Sequence, residues 1–326
     1  MKTTTALTRR HALIATCAAL SPALGRSQTA LPDMLRMVMP FPPGNALDTS
    51  ARWFAEAYRT ATGRNAIIEN KPGAAATIAA GEVSRSKPDG SVVLFTTAGH
   101  LTTAVLMKKI PYEPIDGFTP VTPVAVGEGF IMVTRAGSRF NSAQDVLDAA
   151  KKAPGKISYA SAGNGNSTHV VGALFAKSAG VDLLHVPYRG DFITDLLSGV
   201  VDIMFVGTAV VWPLLESNKL KALGITGNNR AASLPQVPTF AEIGVRDVDL
   251  PSYLTILAPP SMPPTILAAL HDGIARTLRD PALVSKFKSS RMEPWILSPD
   301  QFKARMRDEL AHLQRVLPPL GIQMDI

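Results

Sequence analysis

Two short turns carry the residue types that hold an anion through the backbone. Pro42-Pro43-Gly44-Asn45-Ala46 and Gly163-Asn164-Gly165-Asn166-Ser167 each set small residues between an apolar run and a helical pattern. The first amides of a helix have no partner within it, and its dipole adds partial positive charge there, so such a turn attracts an anion. Glycine lets the backbone approach the ligand. Either turn alone is also an ordinary strand-to-helix connection. One in each inferred domain is a more specific pair, because ligands of open α/β sheets lie off the carboxyl ends of the strands, where both turns would converge.

Other chemistries lack their residue sets. Gly163-x-Gly165 runs on to Thr168 where a dinucleotide fingerprint wants a third small residue, and no Gly-Lys-Ser/Thr phosphate loop occurs. Ser167 and His169 are two apart on a helix and face different ways, and there is no Gly-x-Ser-x-Gly elbow, so no catalytic set is assigned. His169 is read either as a donor to the ligand or as a packing residue at the helix start. Asp202 opens a strand and is read as structural or as an acceptor at the cleft edge. The six histidines have no metal-ligand spacing, and no cofactor or metal is expected. Basic pairs such as Lys108-Lys109 are short and free of interleaved aromatics, which argues against a nucleic-acid platform.

The elements that position the turns alternate as strand, turn, helix, the mark of α/β units with parallel-rich sheets. Leu35 to Met39 is an apolar run; Ala51, Phe54, Ala55 and Tyr58 then recur at helical spacing, with Asn45 as the expected cap and Asp48 three residues on. Strands are expected at 66–68, 91–97, 157–161, 183–186, 200–206 and 220–225. The stretch Val121 to Val133 reads as a crossover strand and Tyr253 to Ala258 as a second. Two crossings place a middle domain, 127–252, inside an outer one, 32–126 with 253–326, and such a chain can hinge over a ligand. Ser298, Pro299 and Gln301 open a last helix whose Phe302, Met306, Leu310, Leu313 and Leu317 form one apolar stripe.

With 326 residues, 46% hydrophobic and 18% charged, the chain has material for two globular cores. Residues 1–25 carry Lys2, Arg9 and Arg10 without an acid, then an apolar stretch too short to span a membrane, which is the layout of an export signal cleaved after Gly25. Arg9-Arg10 fits the twin-arginine route, and an ordinary secretory start fits equally. Cys17, the sole cysteine, lies inside this segment, and its surroundings only faintly resemble a lipoprotein signal. Removing the segment takes the formal charge from +7 to +4, a mild surplus that suits an anionic ligand.

Ordered motifs along the chain resemble the extracytoplasmic receptors of tripartite tricarboxylate transporters, the Bug proteins. They are Pro40-Phe41-Pro42 with Gly44 and Asp48, Glu69 to Ala74, Pro88-Asp89-Gly90, Tyr159-Ala160-Ser161 with Gly163, Gly165, Ser167 and His169, Val186 to Gly190 with Asp195, Gly199 and Asp202, and Val237-Pro238-Thr239. The resemblance implies a two-lobed periplasmic-binding fold of type II with a flytrap hinge. It implies a monomeric periplasmic protein that captures a small carboxylate and delivers it to membrane transporter subunits. A receptor for a membrane sensor kinase and a periplasmic enzyme are the alternatives. Carried over residue by residue, the ligand site comprises Pro43, Gly44, Asn45, Ala46 and Asp48 in one lobe and Gly163, Asn164, Gly165, Asn166 and Ser167 in the other. Thr97, Ala98, His169 and Tyr188 are expected beside it. The sequence departs from the pattern at Asn45, where a second glycine is usual, and in a shorter stretch after Gly190. Phe192 falls in that stretch and either packs into its own domain or, with Phe41, forms apolar walls that suit an aromatic acid.

Overall fold

The computed structural model describes residues 31–188 and 191–324. The expected export signal with Cys17, and the Arg189-Gly190 part of the middle motif, lie outside the described residues.

The first unit follows its apolar pattern. In β1 (Met34–Met39) the side chains of Leu35, Met37, Val38 and Met39 are buried. The chain breaks at the prolines and enters α1 (Ala46–Thr62), which turns Phe54 and Tyr58 inward and ends where Gly63, at φ 71°, donates its N–H to the Arg59 carbonyl. β2 (Asn65–Asn70) follows, then a short 3-10 turn (Ala74–Ala76), α2 (Thr77–Ser84), β3 (Val92–Thr97) and α3 (Gly99–Leu106).

The stretch expected as one crossover strand is two strands in different sheets, β4 (Thr119–Gly127) and β5 (Phe130–Arg135). Gly129 makes the break at φ 114°, a backbone conformation that L side chains resist. The second sheet then gathers α4 (Ala143–Lys152), β6 (Ser158–Ser161), α5 (Ser167–Ala179), β7 (Leu184–Pro187), α6 (Ile193–Ser198), β8 (Ile203–Gly207), α7 (Thr208–Glu216) and β9 (Leu220–Ile225). The chain returns to the first sheet through β10 (Tyr253–Ala258) and finishes with α8 (Pro264–Thr277), α9 (Pro281–Ser289), β11 (Met292–Pro294) and α10 (Pro299–Val316). Ser298 caps α10 in a reciprocal capping box with Gln301, as its sequence requires.

The strand orders are β11-β4-β10-β3-β1-β2 and β7-β6-β8-β5-β9. Both sheets are mixed. Strands reached through a helix pair in parallel, β1 with β2 and β3, and β6 with β7 and β8. Strands that arrive from the other sheet run antiparallel to their neighbours, β10 against β3 and β4, and β5 against β8 and β9.

One apolar core is shared by both sheets, joining Val38, Leu94 and Phe118 to Met132, Tyr159 and Phe205. The α10 stripe closes it with Phe302, Met306, Leu313 and Leu317, while Leu310 is only partly buried. Each fully buried aromatic or aliphatic side chain of this kind contributes about 1.5–3 kcal/mol. Asp202 is structural: its Oδ2 accepts from the Ser158 amide and hydroxyl, each at 2.9 Å, which ties β8 to β6.

Candidate ligand-binding site

A cavity of about 640 Å³ opens between elements of the two sheets. From the second sheet it is lined by Ala162, Asn164, Gly165, Asn166 and Ser167, the turn that enters α5. Its geometry is built by local hydrogen bonds. Gly163 and Gly165 take φ of 111° and 72°, and Asn166 caps α5 by accepting from the Thr168 amide and hydroxyl at 3.0 Å. The Ala162 amide donates to Thr168 Oγ1 at 2.9 Å.

Two histidines brace this turn from behind. His169 Nδ1 accepts the Gly165 N–H at 3.0 Å, so that nitrogen carries no proton. The His169 and His185 rings stack with centroids 3.7 Å apart, and His185 Nε2 lies 2.6 Å from Ser161 Oγ. Burial, then the neighbouring His185, pushes the His169 pKa down to about 4. The imidazole is therefore neutral near pH 7 and acts as a backbone acceptor and packing surface rather than as a cation.

The first sheet's contribution differs from the expected one. The α1 turn provides Pro40 and Phe41 to the cavity, but Pro43, Gly44, Asn45, Ala46 and Asp48 do not line it. The anion position at the start of α1 is filled by the chain's own carboxylate. Asp48 Oδ2 accepts the Gly44 N–H at 2.9 Å and Arg52 Nε at 2.8 Å, and its Oδ1 accepts from Asn70 Nδ2 at 2.9 Å. The Asn45 side chain in turn accepts the Asp48 N–H at 2.8 Å. Burial raises the Asp48 pKa, but the Arg52, Gly44 and Asn70 bonds outweigh it and hold the group at about 2. An ionised Asp48 on the Gly44 amide makes a second anion there unfavourable.

In place of that turn, the first sheet presents Thr96, Thr97, Gly99, His100, Thr102 and Thr103 around the start of α3. Ala98 lies between them with its side chain buried and is not part of the lining. A methyl group placed on Gly99 would lie 3.8 Å from Ser167 Oγ, so the first residues of α3 and α5 face each other. Gly73 to Ala76 form a further wall, with φ of 123°, 43°, 50° and 76°. Three consecutive alanines in the left-handed region are strained by about 1–2 kcal/mol each, and Thr103 Oγ1 holds the turn by donating to the Ala75 carbonyl at 3.3 Å. Met107, Gln323 and Met324 complete the lining.

No Lys, Arg, Asp or Glu lines the cavity among the described residues. His100 does, and it is neutral: burial lowers its pKa to about 4, and its Nε2 donates to the Pro114 carbonyl at 2.8 Å. The polar groups on offer are hydroxyls, side-chain amides and helix N-termini. That set can solvate an anion by dipoles, and it has no acid, base or nucleophile pair poised for catalysis.

The remaining expected residues lie elsewhere. Tyr188 donates its hydroxyl to Asp195 Oδ2 at 2.7 Å, and its backbone carbonyl abuts Gly163 from outside the cavity. Phe192 packs with Tyr188 against the core under the second sheet, so Phe41 is the only one of the two proposed aromatic walls at the cavity. Gly163 and His169 support the turn without lining it. The Gly73 to Ala76 wall had a signal in Pro72-Gly73, a turn pair ahead of an alanine-rich helix. The start of α3 had one in Gly99 directly after a strand. Gln323 and Met324 had none, since only the tertiary path brings the chain's last residues here.

Among the described residues, no group of His, Cys, Asp and Glu could hold a metal ion, and no helix is long and apolar enough to cross a membrane. Comparison with known proteins matches residues 50–322 to the model of the tripartite tricarboxylate transporter family receptor. A protein encoded in the tcbD-tcbE intergenic region of Pseudomonas sp. strain P51 is 30% identical over 315 residues, 95% of this chain and 94% of that one. The structure of the periplasmic binding protein BugD superposes with a TM-score of 0.79 at 30% identity, covering 90% of this chain and 99% of BugD. That of R. palustris Rpa4515 with adipate gives 0.82 at 28% identity, covering 90% and 99%. The two mixed sheets with flanking helices are thus the periplasmic-binding fold of these receptors, and the chain belongs to the tripartite tricarboxylate transporter receptor family.

Proposed function

We propose that this protein is a periplasmic receptor that captures a small aliphatic carboxylate between two hinged lobes and passes it to a membrane transporter. The observation that carries this reading is the pair of helix starts, Gly99 of α3 and Ser167 of α5, one from each sheet, facing each other in a cavity lined by neutral polar groups. Two dipoles converging on one volume favour an anion. The adipate of the R. palustris relative is the kind of ligand such a site suits. In this reading 32–126 with 253–326 is one lobe, 127–252 is the other, and the two crossovers are the hinge. The basic, then apolar, start of the chain directs export, and the mature receptor is a monomer.

Isothermal titration calorimetry with succinate, malate, adipate, citrate and benzoate, at low and high salt, tests the reading. One or more of the four aliphatic acids should saturate a single site in preference to benzoate, with weak salt dependence, because fixed dipoles rather than surface charges hold it. Binding of none of them, with a cationic or uncharged molecule recovered from the purified protein by mass spectrometry, would defeat it.

A further inference from the structure

The chain's last described residues occupy a place that no motif of the sequence announces. After α10 the chain makes a 3-10 turn (Pro318–Leu320), where Lys177 Nζ of α5 donates to the Pro319 carbonyl at 2.8 Å. It then runs to the end of α3, where the Met324 N–H donates to the Leu106 carbonyl at 3.1 Å and Met324 pairs in parallel with Met107. The tail therefore touches a helix of each sheet.

Met324 is 9% exposed, and its thioether lies directly on Gly165. A methyl group built on Gly165 would overlap the Met324 Sδ and Cγ and come to 3.0 Å from Cε. The thioether thus fills the space that a side chain at position 165 would take. On its other flank the Gly165 N–H is held by His169 Nδ1. The glycine turn is clamped between an imidazole acceptor of its own helix and a methionine from the chain's far end. Next to it, Gln323 is exposed and is one of the cavity's lining residues, and a glutamine side chain can both donate and accept.

We propose that Gln323 and Met324 belong to the ligand site: Met324 is a positioning residue that fixes the Gly165 turn, and Gln323 is a specificity-determining residue that meets the far polar end of the ligand. This rests on the carboxylate-receptor reading above and names two of the residues that set its selectivity. A side-chain amide donates to a distal carboxylate at one depth only, so it separates a four-carbon from a six-carbon diacid. Met324 acts through the turn, so it affects both diacids alike.

The test is calorimetry of succinate and adipate on the full-length mature protein and on Gln323→Ala, Met324→Ala, Met324→Leu, Gly165→Ala and Gly165→Ala with Met324→Ala. Gln323→Ala, at an exposed position, leaves folding intact and should change the ratio of the two affinities about fivefold or more. Met324→Ala should weaken both acids by a similar factor, and Met324→Leu should restore most of the loss. Gly165→Ala should weaken binding less when Met324 is already alanine, because the overlap is gone and only the strain of an alanine at φ 72° remains. If the wild type binds the acids while Gln323→Ala and Met324→Ala match it in affinity and ratio, the tail plays no part and the receptor reading stands. A wild type that binds neither diacid overturns the Gln323 assignment, and the receptor reading falls with it only if malate, citrate and benzoate fail to bind as well.

Discussion

Replacing Glu309 by glutamine should remove a specific pH dependence of stability. Glu309 projects from α10 to the start of β10, where Tyr253 donates its hydroxyl to Oε2 at 2.9 Å. The residue is 7% exposed, and Oε1 has no hydrogen-bond partner among the described residues. Burial pushes its pKa up; the Tyr253 bond and Arg305 pull it back, and the result is about 7 against an ordinary 4.5. The native state therefore holds this proton more tightly than the unfolded chain does. Below about pH 4.5 both states are protonated and the group is neutral to stability. As pH rises from there toward 7 the native state is progressively penalised, and above 7 the whole penalty, about 3 kcal/mol, applies. Glutamine cannot ionise, so the variant escapes it. An amide nitrogen at the Oε1 position adds its own cost, but that cost does not change with pH. The quantity to read is thus the difference in unfolding free energy between variant and wild type, followed by urea denaturation with tryptophan fluorescence. It should shift in favour of the variant by about 3 kcal/mol between pH 4.5 and pH 8. A difference that stays constant over that range would refute the buried-acid assignment.

Two further substitutions probe one wall of the cavity and the support of another. Ala76→Gly should raise stability by up to about 1 kcal/mol, since relief of a left-handed alanine outweighs the entropy that glycine adds to the unfolded chain; a loss of stability in thermal unfolding would mean the turn is not strained as described. His169→Ala should weaken carboxylate binding roughly five- to tenfold by leaving the Gly165 N–H without its acceptor. Wild-type affinity should stay flat near neutral pH and fall as the imidazole protonates toward about 4, turning Nδ1 into a donor. Unchanged affinity in the variant would remove His169 from the site's support.

Much of the fold was legible because it obeys local rules. The Ser298 to Gln301 cap, the Asn45 cap and the α10 stripe are written in consecutive residues, and the structure repeats them. Alternation of strand and helix made the sheets predictable, but not their mixed direction, which follows from chain segments crossing between sheets. The site was half legible. The Gly163 to Ser167 turn is a short-range pattern and lines the cavity except at Gly163. The Pro42 to Ala46 turn has the same pattern, yet Asp48 reaches back onto its Gly44 amide, with Arg52 and Asn70 completing the shell. Asp48 and Arg52 are one helical turn apart and could be paired from spacing; Asn70 comes from β2 and could not. Gln323 and Met324 arrive from more than 150 residues beyond Gly165, a proximity that no local pattern encodes.

A crystal structure of the mature protein with its tightest-binding acid would place the ligand carboxylate directly. The geometry predicts that carboxylate between the first residues of α3 and α5, accepting from backbone amides and from Ser167 and the Thr96 to Thr103 hydroxyls, with no lysine or arginine in contact. A carboxylate paired with a cationic side chain, or seated outside the cavity bounded by Phe41, Gly99, Gly165 and Met324, would contradict it.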